Sequence, residues 1–285
     1  MTVAATTDRG GKPAPDRAFT PSFGAPVIEL ENVDRVFKSD RGDVVALQGI
    51  NMTVHEGEFV TVVGPSGCGK STVLNVIVGL LDPSSGEKKY RGKPSRGVNH
   101  SIGYVTQADN LFPWRTVLQN VTFGLELRGI GNRKSRETRA RDLLARVGLE
   151  GFENHYRHEL SGGMRQRVNI VRTLAYEPEV ILLDEPFGPL DAQTRLNLQD
   201  LLMQLREERP KTTFMFITHD LAEAITLGDR VAVMSARPGR IRDVVEVPLE
   251  HPRDVYTINT DPRFRALYDS VWEHLAEEMR GGDGG

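Results

Sequence analysis

Cysteine is almost missing from this chain: Cys68 is the one thiol in 285 residues. A single thiol can form neither an internal disulfide nor a cysteine metal cage, which points to a reducing compartment. Charge of one sign is not in excess either, with 36 Lys plus Arg against 39 Asp plus Glu and a formal net charge of -3. That balance gives no global basis for binding nucleic acid or anionic lipid, so any contact with a polyanion must be local, and no nucleic-acid partner is expected. Long apolar runs are absent too. No stretch approaches the ~18 consecutive apolar residues of a spanning helix, and MTVAATTDRGGKPAPDR at the N-terminus has no apolar core of a secretory signal. What is present is a 39 % hydrophobic and 26 % charged composition, enough to fill the core of one large domain or two small ones and incompatible with wholesale disorder.

Residues 1–25 mix Gly, Pro, Thr, Ala and Arg without periodicity and are expected to be a flexible tail. Order begins near Val27. VIELENV and DVVALQGINMTV alternate apolar and polar residues, as half-buried antiparallel strands do, with HEGE as the turn that follows. EFVTVVG is instead continuously apolar and β-branched, ends in a glycine-rich turn, and leads into KSTVLNVIVGLL at helical spacing. Further strands are predicted at SIGYV, VILLD, TFMFIT and RVAVM, with helices between several of them, the alternation of a mainly parallel sheet covered by helices. Between Phe112 and Glu159 the strand signals thin out and apolar residues recur at three- and four-residue steps, which reads as a helical insert. Near the end, PGRIRDVVEVPL reads as a short strand pair, DPRFRALYDSVWEHLAEEM as a closing amphipathic helix, and GGDGG as a frayed end.

Gly64-Pro65-Ser66-Gly67-Cys68-Gly69-Lys70-Ser71 fits G-x-x-x-x-G-K-[ST] and stands between a predicted buried strand and a predicted helix, the context the motif needs. Glycines let the backbone curl so that successive N–H groups point inward, and the helix dipole adds attraction for phosphate oxygens. These residues and the following Thr72 form the expected phosphate cradle, with Lys70 on the β- and γ-phosphates and Ser71 on magnesium. Cys68 fills a variable position where a small residue fits; a redox role has no evident resolving thiol to support it.

VILLDEP places two carboxylates at the end of a buried strand. Adjacent acids are often only a solvated turn, but this strand holds them against the same sheet edge as the cradle. Asp184 can hold magnesium, and Glu185 can orient or deprotonate an attacking water. A dedicated base for water favours hydrolysis over phosphoryl transfer to an organic acceptor.

A second glycine cluster, Leu160-Ser161-Gly162-Gly163-Met164-Arg165-Gln166-Arg167, opens another predicted helix. Alone it could be an ordinary N-cap. Taken with the rest of the chain, LSGGMRQR resembles the signature motif of ABC transporter ATP-binding subunits, and the other motifs follow in that family's order over residues 27–245. Phe37 in RVFKS resembles the aromatic residue that stacks on adenine, where Tyr is more usual. Gln107 in YVTQADNLFPW resembles the Q-loop glutamine, Asp191 in FGPLDAQ the D-loop aspartate, and His219 in FITHD the switch histidine. Pro189 departs from the alanine commoner in that D-loop.

The resemblance implies an α/β fold: a P-loop NTPase (RecA-like) core with an antiparallel β subdomain and a helical ABC subdomain. The ATPase domain would span 26–250, the helical subdomain about 111–164, and a short C-terminal helical extension 251–285. ATP and Mg2+ are the implied cofactors. Glu185, His219, Gln107 and Lys70 would be catalytic, and Ser71, Gln107 and Asp184 would surround the metal. The cradle, Phe37, Ser161, Gly162, Gly163 and Asp191 would bind nucleotide, the signature acting on ATP held by the other copy of a homodimer or of a similar ATPase subunit. The resemblance further implies a peripheral place at the cytoplasmic face of the cell membrane, a separate transmembrane permease and, indirectly, an extracytoplasmic solute-binding protein. PSGCGKSTVL, NLFPWRTVLQNVTFGLELRG, EPFGPLDAQTR and DRVAVMSARPGRI resemble the nitrate, sulfonate and taurine uptake branch. The competing reading is a soluble ABC ATPase that remodels a cytosolic complex.

Three features take plainer readings. The run Arg133–Arg139 is expected to be a solvated helix face. Phe112 and Trp114 suit either packing in the helical insert or contact with the permease. His155 and His158 lack a third metal ligand.

Overall fold

The computed structural model describes residues 23–40 and 42–281. Almost all of the expected N-terminal tail and of the GGDGG end lies outside the described residues.

Two sheets form, and the residue patterns explain their difference. β1 (Pro26–Phe37) and β2 (Val44–His55) pair antiparallel, with Leu30 opposite Met52 and Phe37 opposite Val44. β3 (Phe59–Val63) is buried at every residue and leads through the glycine-rich loop into α1 (Lys70–Val78). The chain then returns to the first sheet as β4 (Ser85–Tyr90) and the two-residue β5 (Lys93–Pro94), giving the order β2-β1-β4-β5. Sequence reasoning does not anticipate β4 or β5, because SGEKKY has no apolar alternation. Lys88 takes the inward position instead, where its Nζ donates to the carbonyls of Val76 at 2.9 Å and Ile77 at 3.4 Å and so closes the C-terminus of α1.

The second sheet adds β6 (Ile102–Val105), β7 (Val180–Asp184), β8 (Thr213–Ile217), β9 (Arg230–Met234) and β10 (Ile241–Glu246), in the order β10-β9-β3-β8-β7-β6. All neighbours are parallel except β10, which runs antiparallel to β9. PGRIRDVVEVPL is therefore one strand and not the strand pair expected: its partner, Arg230–Met234, lies just upstream.

Six further α-helices follow among the described residues: α2 (Val117–Leu127), α3 (Arg133–Arg146), α4 (Gly162–Leu174), α5 (Ala192–Glu208), α6 (Leu221–Leu227) and α7 (Pro262–Gly281); α4, α6 and α7 pack on strands of this sheet, while α2 and α3 pack on each other and on α4. Because successive side chains of a strand point to opposite faces, β8 feeds two cores. Phe214 and Phe216 join the apolar body under α2 to α5, while Met215 and Ile217 pack with α1 and the first sheet. A smaller core lies beyond β9, beneath α6 and α7. The charged run on α3 is largely solvent-facing, with Arg133 and Glu137 paired one turn apart at 2.8 Å.

Asp229, fully buried at the foot of β9, ties the C-terminal segment to the sheet. It accepts from His251 Nε2 at 2.9 Å and from the Phe59 N–H at 2.8 Å, and Arg206 lies at 2.9 Å. Burial alone would push this carboxyl up, but the His251 hydrogen bond, the Arg206 charge and the Phe59 N–H outweigh it and hold it below the ordinary value. A depressed carboxylate contributes stability that is present above its unfolded value of about 3.9 and is lost as the pH falls through its folded one. Asp229→Asn is expected to cost about 2 kcal/mol at neutral pH and to flatten the acid limb of stability below about pH 4. Urea unfolding at pH 7 and at pH 3 checks both; equal losses at the two pH values would contradict the linkage.

Candidate active site

Parallel register brings four strand ends to one edge. Val62 of β3 lies beside Ile217 of β8, Ile217 beside Asp184 of β7, and Leu183 beside Val105 of β6. The loops that leave these ends share the edge, where α/β sheets bind their ligands.

The loop after β3 carries the glycine-rich sequence motif expected to cradle phosphate. Gly67 and Gly69 have φ of +72° and +111°, conformations open to glycine. A Cβ on Gly69 would also come within 2.8 Å of Leu47 and 2.9 Å of the Ala46 carbonyl, so glycine is needed there twice over. Lys70 is buried, and its Nζ donates to the carbonyls of Gly64 at 2.8 Å and Pro65 at 3.0 Å. The ammonium is thus held inside the curl of the loop, beside the N-terminus of α1. Cys68 is buried, and burial pushes its thiol up, which disfavours the reactive thiolate and with it a redox role. An open cavity of about 390 Å³ runs from this loop to Phe37, with Ser66, Ser71, Thr72, Gln107 and Glu185 among its lining. Phe37 is partly exposed at the end of β1, with the Arg35 guanidinium over its ring at 4.8 Å.

At the end of β7, Asp184 is buried and accepts from Ser71 Oγ at 3.0 Å and from the Tyr104 hydroxyl at 3.3 Å. Burial raises its carboxyl above the ordinary value against these two hydrogen bonds. Ser71 and Asp184 offer adjacent hard oxygen donors, the kind a magnesium ion takes beside phosphate, so these residues fit that metal. Glu185 has φ of +44°, and its N–H is anchored on the Ile217 carbonyl at 3.1 Å. Its Oε2 stands 3.4 Å from Gln107 Nε2 and 3.6 Å from His219 Nδ1. Gln107 follows β6 and His219 follows β8, so groups from two strand ends converge on the carboxylate carried by a third. Thr218 Oγ1 brackets the histidine, donating to buried Glu223 at 2.5 Å and accepting from the Asp220 N–H at 3.0 Å.

The second glycine cluster does not line this cavity. Ser161 caps α4, accepting from the Met164 N–H at 3.2 Å. Asp191 caps α5 through the Thr194 N–H and hydroxyl at 2.9 and 2.7 Å, hydrogen bonds that hold its carboxyl below the ordinary value. The two caps are neighbours: a Cβ on Gly163 would press on Leu190 at 3.3 Å, so glycine lets the loop before α5 sit on the start of α4. Gly162 and Pro189 line a second groove of about 440 Å³, which adjoins the cavity at Gln107 and is crossed by Asp109 paired with Arg157 and Arg165 at 2.8 and 3.0 Å. Trp114 lies 71 % exposed with its ring 5.5 Å from that of Phe112, which also packs edge-on against Phe123 at 4.8 Å.

Two residues of the site escaped sequence reasoning. Tyr104 holds Asp184 from a strand whose pattern announces only burial. Arg237 lines the cavity and reaches the Gly67 carbonyl from the turn after β9; the signal for it was SARPGRI, which carried resemblance but no role.

A glycine-rich phosphate loop, a strand-end acid pair and a polar cap over them, on this strand order, define a P-loop ATPase. The ABC transporter family model matches residues 47–188. An uncharacterised ABC transporter ATP-binding protein of Methanocaldococcus jannaschii is 51 % identical over 80 % of this chain and 84 % of its own. A taurine import ATP-binding protein of Burkholderia pseudomallei is 42 % identical over 87 % and 96 %, and an aliphatic sulfonates import ATP-binding protein of Bacillus cereus is 43 % identical over 79 % and 88 %. Among solved structures, an ATP-binding cassette in a dimeric post-hydrolysis state with ADP and Pi superposes with a TM-score of 0.71 at 35 % identity, over 77 % of this chain and 98 % of that one. The chain belongs to the ABC transporter ATP-binding family, and it is an ATPase.

Proposed function

We propose that this chain energises an importer as one of two ATPase subunits at the cytoplasmic face of the membrane, drawing a small anionic solute of the nitrate, sulfonate or taurine kind through a separate permease. The observation that carries the reading is the division of the nucleotide-binding groups between two places. Cradle, Gln107 and Glu185 line one cavity, with Asp184 bonded to Ser71 and His219 beside Glu185, whereas Ser161, Gly162 and Gly163 stand at another helix start that does not line it. Two copies arranged head to tail would bring the second set onto the phosphates held by the first, and ATP would join them. The dimeric state of the solved relative and the import functions named for two relatives support this reading. The absence, among the described residues, of a helix long and apolar enough to cross a membrane agrees with a separate permease. Solute would be delivered to that permease by an extracytoplasmic binding protein, and no side chain of this chain would read it.

In the chemical step, Lys70 would bind the β- and γ-phosphates, and Ser71 with Asp184 would hold magnesium, which would neutralise phosphate charge. Glu185 orients the attacking water and accepts its proton at Oε2, with Gln107 and His219 fixing that oxygen. Phe37 offers its ring to the adenine. Ser161→Arg is expected to leave nucleotide binding to one subunit intact and to abolish the ATP-induced dimer, because a bulky cation would occupy the seam. Light scattering with ATP, run in a Glu185→Gln background to suppress turnover, tests this; a normal dimer would remove Ser161 from the shared site.

A further inference from the structure

The nucleotide cavity has a second cation on its wall, Arg237, and its anchoring differs from that of Lys70. Arg237 donates through Nη2 at 3.0 Å and Nε at 3.3 Å to the carbonyl of Gly67, in the middle of the phosphate loop. In a trans peptide the carbonyl and the next N–H point in opposite directions. A guanidinium that holds the Gly67 oxygen therefore turns the Cys68 N–H to the other side of the loop, where it makes only a long 3.3 Å bond to the Pro65 carbonyl. Charge on the donor polarises this peptide unit and strengthens its N–H as a donor to an anion.

The turn that carries Arg237 is fixed on two sides. Toward the first sheet, the Gly239 N–H donates to the Ala46 carbonyl at 3.0 Å and the Gln48 N–H to the Gly239 carbonyl at 2.9 Å. Toward the C-terminus, Glu278 of α7 accepts from the Ala236 N–H at 3.2 Å and pairs with Arg242 at 3.4 Å. A continuous path thus leads from the closing helix through Ala236 and Arg237 to the phosphate loop.

We propose that Arg237 is a positioning residue for the phosphate cradle, setting the Gly67–Cys68 peptide for anion binding, and that Glu278 of the C-terminal helix sets Arg237. The proposal rests on the reading that ATP's phosphates occupy the 64–71 loop. Affinity for ATP then depends on a helix that contributes nothing to the chemistry, and a change in the seating of α7 alters nucleotide occupancy.

The test uses the full chain, with trinitrophenyl-ATP and ATP as probes. Arg237→Ala is expected to weaken binding five- to twentyfold and to raise the KM for ATP by a like factor, far more than it lowers kcat. Arg237→Lys should recover most of the affinity, and Glu278→Gln should lose two- to fivefold with the same KM-dominated pattern. Lys70→Ala, run alongside, reports on the cradle itself. If Lys70→Ala loses binding while Arg237→Ala keeps the parent affinity, the cradle stands and the proposal falls. If Lys70→Ala binds as the parent does, the underlying reading fails instead. A kcat-dominated loss in Arg237→Ala, or no recovery in Arg237→Lys, also overturns the proposal. Should Arg237→Ala misfold by circular dichroism, Arg237→Met keeps the aliphatic stem and is judged by the same criteria.

Discussion

Glu185→Gln is expected to bind ATP with the parent affinity and to hydrolyse it ~10²–10⁴-fold more slowly, the range set by loss of a general base. The geometry supplies the reason. The side chain leaves a backbone position of positive φ that is locked by the 3.1 Å bond to Ile217, and one carboxylate oxygen faces both Gln107 and His219. An amide of the same shape keeps a neighbour for Gln107 and preserves the packing, but it cannot take a proton from water. Nothing in the cradle is touched, so binding survives. Phosphate release under saturating ATP, with affinity from calorimetry, separates the two quantities. Hydrolysis at the parent rate would show that water is activated by another group.

Lys70→Ala acts on binding instead and is expected to lose nucleotide affinity by about 10²-fold, the size of one or two charge-assisted contacts at roughly 1.5–3 kcal/mol each. Two effects combine here. The triphosphate loses the cation nearest its terminal charges, and the loop loses the internal clamp that the ammonium makes on Gly64 and Pro65. Calorimetric titration with ATP and with adenosine tests the assignment. A selective loss for ATP is expected, since adenosine has no phosphate for Lys70 to hold; equal losses for both ligands would point to collapse of the pocket.

The parts of the fold that were legible share one cause. β3, β7 and β8 are covered on both faces, so every residue is buried and the run of apolar β-branched and aromatic side chains stands out. β4 was illegible because a lysine does the work of an apolar residue there, satisfied by α1 carbonyls that no local pattern can announce. β10 was misjudged because pairing is a tertiary fact: its ladder is made with β9 and not within its own segment. The site divides in the same way. The cradle and the acid pair are contiguous in the chain and carry their chemistry in their spacing. Gln107 and His219 were placed by resemblance, and the fold then put both beside Glu185. Tyr104 and Arg237 act across 80 and 170 positions respectively, and such contacts exist only once the sheet has formed.

Phe37 ends β1 of the first sheet and Lys70 opens α1 behind β3 of the second, and they border the same cavity. A ligand with an aromatic head and an anionic tail that touches both would become a further strut between two layers already joined by side-chain packing and by the backbone bonds of Gly239 with Ala46 and Gln48. Its arrival stiffens the angle between those layers, and its departure frees that angle to relax. With ATP seated as proposed, the molecule would be braced by its own fuel.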